Sequence, residues 1–259
     1  MKQKEMPQYS YKNMNSEVDD LKKEIASYRP FSKQLLNELQ QFYRIGFTYS
    51  SNALEGNSLT ESETKIIIED GLTIGGKTIR EHSEVLGHSD AYTFLNTLVK
   101  KSIITESNII ELHRLFYYRI DNKKAGKYRK QQVYISGTDY LPPKYNEIPD
   151  LMKKFISSIS EMKETLHPVT LAAKLHERIA TIHPFIDGNG RTARLVMNLS
   201  LMQNGYPIII IPPVLRNDYI SSIRLANTGD TEHFFHFISS MEYESSKDYL
   251  RLIKHFYGK

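Results

Sequence analysis

Residues 183–194 read HPFIDGNGRTAR, and this stretch joins the end of one predicted helix to the start of the next. Pro184 cannot extend the first helix in the normal way, so a turn is expected directly after His183. Gly188 and Gly190 allow the backbone to turn sharply and to approach a ligand closely. The second helix then begins with free N–H groups and the positive end of its dipole directed into the turn, which makes an anion site suited to a pyrophosphate.

The side chains of the same stretch add charge and proton chemistry to this turn. Arg191 and Arg194 lie three residues apart on the second helix, so both can reach phosphate oxygens. Asp187 supplies a hard oxygen ligand, which suits the Mg²⁺ that accompanies a nucleotide triphosphate. His183 can accept a proton near neutral pH. Each feature alone is typical of ordinary structure, whereas their occurrence within one short stretch predicts a nucleotide site.

Helical periodicity extends on both sides of this turn. Apolar residues recur at helical spacing over residues 35–47, and Thr60 and Glu63 form a capping-box pattern at the start of another helix. The further helices are predicted over residues 58–70, 81–98, 106–118, 150–164, 169–182, 190–203, 217–227 and 232–256. We therefore predict an all-α chain without a linker between independent domains.

One segment departs from the helical pattern. Val133, Tyr134 and Ile135 are β-formers, and Ser136 and Gly137 favour a turn. The segment ends at a Leu-Pro-Pro run over residues 141–143. This pattern predicts one short β-hairpin within the otherwise helical chain.

Composition limits the classes of function. The chain contains no cysteine, which excludes disulfides and thiolate metal sites and is compatible with the cytoplasm. Its net charge of +4 is too small to argue for nucleic-acid binding. The most apolar run, residues 208–211, is far too short to span a membrane. We expect an intracellular, cytoplasmic protein that contacts neither nucleic acid nor membrane.

The stretch at residues 183–194 resembles the signature of the Fic family, whose pattern runs His-x-Phe-x-Asp/Glu-Gly-Asn-Gly-Arg-x-x-Arg. All eight specified positions match. Members of this family are similar helical domains with a β-hairpin flap over the active site. The resemblance implies an N-terminal helical extension (1–45), a Fic domain that includes an inhibitory helix and the flap (46–240), and a C-terminal helical extension (241–259).

The resemblance implies an enzyme of the nucleotidyltransferase class. Such a protein adenylyltransferase, or AMPylator, transfers AMP from ATP to a Ser, Thr or Tyr hydroxyl of a target protein and releases pyrophosphate. His183 is then the general base, Asp187 holds Mg²⁺ or Mn²⁺, and Arg194 binds the γ-phosphate. The other implied phosphate-binding residues are Gly188, Asn189, Gly190 and Arg191.

The resemblance also assigns the nucleobase and the target protein to two further segments. Ile220 and Ile223 are implied to line the adenine, and Asn227 to hydrogen-bond it. The exposed edge of the flap is implied to hold a segment of the target by strand addition, through Val133, Tyr134 and Ile135.

A second motif, SNALEGN at residues 51–57, resembles the inhibitory motif Ser/Thr-x-x-x-Glu-Gly/Asn of self-restrained Fic proteins. Its specified positions are Ser51, Glu55 and Gly56. Ser51 and Glu55 are expected one above the other on a helix face. The resemblance implies that Glu55 pairs with Arg194 and takes the guanidinium that the γ-phosphate needs. In some similar proteins this glutamate positions a water that removes AMP, so Glu55 is also a candidate catalytic residue.

Other interpretations remain open at this point. Some relatives transfer UMP, phosphocholine or phosphate, although the phosphate-transferring branch carries Lys where Gly190 stands. A regulatory binding module with a silent site is an interpretation of another class. His176 and His183 share a helix face and raise a histidine zinc site, but no His-Glu-x-x-His pattern occurs. The identity of the target protein, self-modification and a homodimer are also left open.

Overall fold

The structure is a computed structural model that describes residues 9–101, 103–135 and 138–258. Within these ranges the chain is helical and forms no β-strand, so the predicted all-α class is confirmed. Single 3-10 turns lie at Tyr145–Glu147 and Pro213–Leu215. The α-helices are α1 (Asn15–Ser27), α2 (Lys33–Ala53), α3 (Glu61–Glu69), α4 (Ile79–Leu98), α5 (Glu106–Tyr117), α6 (Ile148–Thr165), α7 (Pro168–Ile182), α8 (Asn189–Gln203), α9 (Arg216–Asn227) and α10 (Glu232–Phe256).

Helix α8 is the centre of the fold. Every residue from 189 to 201 except Gly190 is buried, and α8 packs against α7, α4, α5 and α2. A helix that is buried on all sides must be enclosed by other helices to be stable. The surrounding helices therefore fix the position of α8 and leave its first turn open at Gly190.

Threonine caps fix the starts of three helices around α8. The capping box predicted for Thr60 and Glu63 is confirmed: the Glu63 N–H donates to Thr60 Oγ1 at 3.2 Å, and the Thr60 N–H donates to Glu63 Oε2 at 2.8 Å. Thr78 at α4 and Thr105 at α5 form the same motif with Glu81 and Asn108. Each cap of this kind stabilises its helix by about 1 kcal/mol.

The two ends of the described chain pack together. Helix α1 lies against α10, and the Met14 N–H donates to Ser239 Oγ at 2.8 Å. The Ser239 hydroxyl donates in turn to Asn15 Oδ1 at 2.8 Å. Of the helices that the structure describes, none combines the length and the apolar character that crossing a membrane requires.

The predicted β-hairpin is wrong for the described residues. Residues 131–135 and 138–144 carry no regular secondary structure, and the predicted turn residues Ser136 and Gly137 lie outside the described residues. Pro142 and Pro143 lack the N–H group that a backbone ladder needs, so this side of the segment cannot donate to a partner strand there.

Side chains take the place of the missing ladder. Arg129 Nη2 donates to the Pro143 carbonyl at 2.6 Å, and Gln132 Nε2 donates to the Pro142 carbonyl at 2.9 Å. The two arms of the segment at residues 126–144 are therefore joined by side-chain donors on backbone carbonyls. We call this segment the flap segment below.

The predicted placement of Glu55 on a helix face is also wrong. Helix α2 ends at Ala53, and the Glu55 N–H donates to the Asn52 carbonyl at 3.0 Å within a turn that follows it. Gly56 has a φ of 96°, a conformation that favours glycine and cannot continue the helix. Ser51 therefore lies on the last turn of α2, whereas Glu55 lies just beyond the helix end.

Candidate functional site

The loop between α7 and α8 is shaped by its own backbone and by one asparagine. His183 ends α7 and Gly188 begins α8, with φ angles of 51° and 79°. A Cβ at Gly188 would lie 2.7 Å from the Phe116 ring, so only glycine fits there. The Asn189 side chain accepts from the Phe185 N–H and donates to the Phe185 carbonyl, both at 2.9 Å. These contacts hold the loop in one conformation.

A buried histidine on α5, His113, packs against this loop and hydrogen-bonds to it. The His113 ring stacks on Phe185 with a centroid distance of 3.7 Å and an interplanar angle of 1°. The Gly126 N–H donates to His113 Nδ1 at 3.0 Å, so Nε2 carries the proton and donates to the Asp187 carbonyl at 3.0 Å. Burial lowers the pKa of His113 to about 4, which keeps the ring neutral. The sequence interpretation missed His113, whose one signal is its place on the buried face of α5.

His183 is half-buried and has one ring nitrogen available as a base. Its Nδ1 lies 3.3 Å from the Ala180 carbonyl, which can only accept a hydrogen bond. In the neutral ring Nδ1 therefore carries the proton, and Nε2 holds the lone pair. Burial lowers the pKa of His183 below its ordinary value of 6.5, and the charge of Arg129 acts in the same direction. The ring is thus neutral at neutral pH and able to accept a proton.

Arg194 is buried and fully engaged at the first turns of α8. Its Nη2 donates to Glu55 Oε1 and to the Ser51 carbonyl, both at 2.8 Å, and its Nε donates to Ser51 Oγ at 3.0 Å. Its Nη1 donates to the Tyr219 hydroxyl at 3.0 Å. The side chain of Arg194 is 2% exposed and that of Glu55 is 35% exposed. The structure therefore brings the predicted residues Ser51 and Glu55 together around the guanidinium of Arg194.

Tyr219 and His176 extend this network into the core. His176 Nε2 lies 2.7 Å from the Tyr219 hydroxyl, and burial lowers the pKa of His176 to about 3. The neutral imidazole of His176 accepts a hydrogen bond from the Tyr219 hydroxyl. The oxygen of that hydroxyl is then available to accept a hydrogen bond from Arg194. The sequence interpretation missed Tyr219 as a partner of Arg194, although Tyr219 directly precedes Ile220, which was assigned to the adenine.

The Glu55 carboxylate lies over the open first turn of α8. A Cβ at Gly190 would collide with Glu55 Oε1, so the absence of a side chain at this position makes room for the carboxylate. Burial alone would raise the pKa of Glu55, but the charges of Arg194 and Arg191 outweigh it and lower the pKa. An ionised carboxylate thus lies at a helix N-terminus, where anions bind favourably.

Asp187 is held by two arginines. Arg80 Nη2 donates to its Oδ2 at 2.6 Å, and Arg191 Nη2 lies 3.4 Å from its Oδ1, which also accepts from the Gly188 N–H. Burial would raise the pKa of Asp187, but these cations and the Gly188 N–H lower it below its ordinary value. The carboxylate is ionised, and its side chain is 35% exposed. This is the state in which a carboxylate binds a divalent cation.

Arg191 is more enclosed than the sequence suggested. Its side chain is 4% exposed, its Nη1 lies 3.1 Å from Glu84 Oε1, and its guanidinium stacks on the Phe116 ring at 4.4 Å. Together with its contact to Asp187, this places Arg191 between two carboxylates. Arg191 therefore orients Asp187 in this structure.

The residues predicted to contact the adenine and the target differ in how far they are buried. The Asn227 Oδ1 accepts from Thr181 Oγ1 at 2.9 Å, which places the end of α9 beside the last turn of α7. Ile220 and Ile223 are half-buried on α9. In the flap segment, Val133 and Ile135 are half-buried, and Tyr134 is 82% exposed.

Comparison with known proteins places this site in a family. A family model described as Fic/DOC matches residues 103–201. A solved structure of Fic-1 (residues 134–508) from C. elegans is 33% identical with a TM-score of 0.85, and the alignment covers 94% of this chain and 72% of that one. This chain belongs to the Fic family. A Fic domain containing signaling protein from Bacteroides thetaiotaomicron has a TM-score of 0.84 at 28% identity, with 93% of this chain and 98% of that chain covered.

Curated relatives of this Fic chain carry the name of an activity. The protein adenylyltransferase Fic of Drosophila yakuba is 44% identical over 193 residues, which is 74% of this chain and 39% of that protein. The Drosophila mojavensis protein of the same name is 42% identical over the same length. This Fic chain therefore spans about two fifths of the length of the curated relatives it matches.

Proposed function

We propose that this Fic chain is a protein adenylyltransferase that transfers AMP from ATP to a Ser, Thr or Tyr hydroxyl of a target protein, and that Glu55 restrains it. The observation that carries this proposal is the Glu55 carboxylate, 2.8 Å from Arg194 and over Gly190 at the start of a buried helix. A carboxylate bound in that position indicates a site for anions. A triphosphate would occupy this site after the carboxylate has moved away. The name shared by the curated relatives supports the same activity.

The proposed step uses His183 as the general base. The target hydroxyl oxygen attacks the α-phosphorus while its proton passes to Nε2 of His183. The bond between the α-phosphorus and the oxygen that bridges to the β-phosphorus breaks, and pyrophosphate leaves. The Nδ1 contact to the Ala180 carbonyl and the lowered pKa of His183 support this role, since both favour a neutral ring with Nε2 unprotonated.

We propose that the first turn of α8 holds the triphosphate. The N–H groups at Gly188, Asn189 and Gly190 would face its oxygens, and Arg194 would bind the γ-phosphate after Glu55 withdraws. Asn189 contributes through the backbone, because both polar ends of its side chain are engaged by Phe185. Ile220, Ile223 and Asn227 are proposed to surround the adenine, which the position of α9 beside the last turn of α7 supports.

Asp187 is the proposed ligand of Mg²⁺ or Mn²⁺. Among the described residues no group of three or more His, Cys, Asp or Glu side chains could hold a metal by itself. A single ionised carboxylate beside an anion site nevertheless fits Mg²⁺, which is commonly bound by one or two carboxylates together with substrate phosphates. When bound, the ion would neutralise charge on the phosphates. Arg191 would keep Asp187 oriented toward it.

Target recognition is proposed to use the flap segment. No backbone ladder occupies residues 131–135 in the described chain, so a target backbone could pair there with groups other than the Gln131 and Val133 carbonyls, which already accept from side chains. The exposed Tyr134 side chain supports a role in contact with that target. Self-modification and a homodimer are compatible with the same arrangement, and the part of the experiment below without lysate tests self-modification.

The transferred group can be identified by labelling. Glu55→Gly protein is incubated with ATP labelled on the α-phosphate, with ATP labelled on the γ-phosphate, or with labelled UTP, alone and with a lysate. We expect protein-bound label from the α-phosphate only and none in Glu55→Gly/His183→Ala. Label from the γ-phosphate or from UTP would assign another transfer, and no label from any nucleotide would favour a silent binding module.

Removal of AMP by Glu55 is the second candidate function. Glu55 is ionised, partly exposed and close enough to influence the pKa of His183, which supports a role in activating water. Protein labelled by the Glu55→Gly form is purified and mixed with unlabelled wild-type chain or with Glu55→Gly. Release of AMP by the wild type alone is expected, and equal retention of label in both mixtures would contradict this role.

A further inference from the structure

Arg129 is a buried cation whose side chain bonds only to backbone. The residue is 4% exposed. Its Nε donates to the His183 carbonyl at 2.9 Å, its Nη1 to the Gln131 carbonyl at 3.0 Å, and its Nη2 to the Pro143 carbonyl at 2.6 Å. Within the described part of the chain Arg129 forms no ion pair. A buried charge is costly unless it is paired or hydrogen-bonded, and here three backbone carbonyls take the place of a carboxylate partner.

The contacts of Arg129 join three pieces of chain that no backbone ladder connects within residues 126–135, 138–144 and 183–184. Two of its acceptors, Gln131 and Pro143, lie on opposite arms of the flap segment. The third acceptor is the carbonyl of His183, and the Arg129 backbone N–H also donates to the Pro184 carbonyl at 2.9 Å. A guanidinium can do this because its donors point in fixed, divergent directions, whereas the ammonium of lysine is a point charge.

The His183 backbone needs such support. Its φ of 51° lies in a region that a non-glycine residue occupies only when the surrounding structure holds it there. Arg129 binds the carbonyls of both His183 and the next residue, so it fixes the peptide that sets the direction of the imidazole. The same guanidinium of Arg129 also holds the two arms of the flap segment.

We propose that Arg129 is a positioning residue of the transfer reaction, which sets the imidazole of His183 and the flap segment in one fixed relation. This inference rests on the proposed function, because it requires that the flap segment hold the acceptor and that His183 take its proton. The three side-chain hydrogen bonds of Arg129 go to His183, Gln131 and Pro143 and to no residue from Asp187 to Arg194, so we expect nucleotide binding to be little affected by its loss.

The test uses Arg129→Gln and Arg129→Lys in the Glu55→Gly chain. The matched control is Arg119→Gln, which removes a 43% exposed arginine that pairs with Asp90 at 2.7 Å just after the end of α5. Amide hydrogen exchange is measured at residues 131–135, 183–187 and 189–201. The rate of self-labelling from α-labelled ATP is measured as a function of ATP concentration.

We expect Arg129→Gln to lower the maximal labelling rate by about tenfold to a hundredfold, the size of effect that a misplaced reacting group produces. The half-saturating ATP concentration should stay within about twofold, because the triphosphate site is untouched. Exchange should accelerate together at residues 131–135 and 183–187 but not at 189–201. Arg129→Lys should recover part of the rate, and Arg119→Gln should behave as its parent.

Three results would overturn the proposal. The first is an unchanged labelling rate in Arg129→Gln, and the second is a loss of ATP affinity as large as the loss of rate. The third is a loss of the folded state in both Arg129→Gln and Arg129→Lys, which would show that Arg129 serves general stability. If the Glu55→Gly parent itself transfers no label, the proposed function fails separately. The exchange measurement then still decides about Arg129, since unchanged exchange at residues 131–135 and 183–187 removes the connection that the proposal requires.

Discussion

The loop at residues 183–194 and the flap segment at residues 126–144 meet at Arg129, yet they obtain their shapes in different ways. The loop is shaped mainly by residues within it, namely positive φ angles at His183 and Gly188 and an asparagine that bonds both backbone groups of Phe185. His113 and Arg129 support that shape from outside the loop. The flap segment is fixed by side chains that reach carbonyls on another arm. The loop can therefore be inferred from a short sequence pattern, whereas the flap segment depends on contacts between distant residues.

The largest expected difference between the two regions is in transfer activity. In the Glu55→Gly chain, His183→Ala should lower labelling from α-labelled ATP by about 10²- to 10⁴-fold, because the general base is lost. Tyr134→Ala, in the flap segment, should lower it by less than about tenfold, because this exposed side chain contacts no reacting atom. A similar loss in both variants would show that the flap segment carries part of the chemistry.

Substitution in the loop at residues 183–194 should lower the free energy of unfolding more than substitution in the flap segment. Gly188→Ala should lower the free energy of unfolding by about 2 kcal/mol or more, because it combines a positive φ with a collision with Phe116. Gly75→Ala is the matched control, since its Cβ would meet no atom within 4 Å and its φ is not positive. Denaturant titrations of both variants measure the difference, and equal values would contradict the strain assigned to the loop.

A weaker effect on stability is expected in the flap segment. Gln132→Ala removes the hydrogen bond to the Pro142 carbonyl and should cost about 0.5–1 kcal/mol, the net value of one such bond at a half-buried position. Amide exchange at residues 131–135 and 138–141 should become faster, with no change at residues 189–201. An unaffected exchange pattern would mean that Gln132 does not join the arms in solution.

The smallest expected effect concerns the metal ligand of the loop. Arg80→Ala removes a cation 2.6 Å from Asp187 and should raise the affinity for Mn²⁺, measured by electron paramagnetic resonance with a non-hydrolysable ATP analogue, by about two- to fivefold. The Arg80 side chain is 56% exposed, so its pair with Asp187 is screened by solvent. Arg119→Ala serves as the control, and equal affinity in both variants would argue against Asp187 as the ligand.

Local sequence signals predicted most of the fold. The observed start of α8 at Asn189 and its end at Gln203 agree with the predicted 190–203, because glycines on both sides mark the boundaries. Thr60 and Glu63 identified the start of α3 for a similarly local reason. Helix α1 was not located, since it is mostly polar and only Val18 and Ile25 are fully buried in it.

The errors and omissions in the site have a common physical origin. The β-formers at Val133–Ile135 indicated a strand, but a strand needs a partner with free N–H groups, and Pro142 and Pro143 have none. His113 and Tyr219 were missed because their contacts join positions far apart in the chain, to Asp187 and Arg194. No spacing rule within one segment reports such contacts.

The Glu55 carboxylate over the first turn of α8 is the centre of the proposed restraint. The direct measurement is the initial rate of label transfer from α-labelled ATP in the wild type, in Glu55→Gly and in Glu61→Gly, a control on the exposed start of α3. We predict a rate in Glu55→Gly that exceeds the wild type by about 5- to 150-fold, as expected for a coupling of about 1–3 kcal/mol, with Glu61→Gly unchanged. Equal rates in all three proteins would contradict the claim that Glu55 occupies the site of the triphosphate.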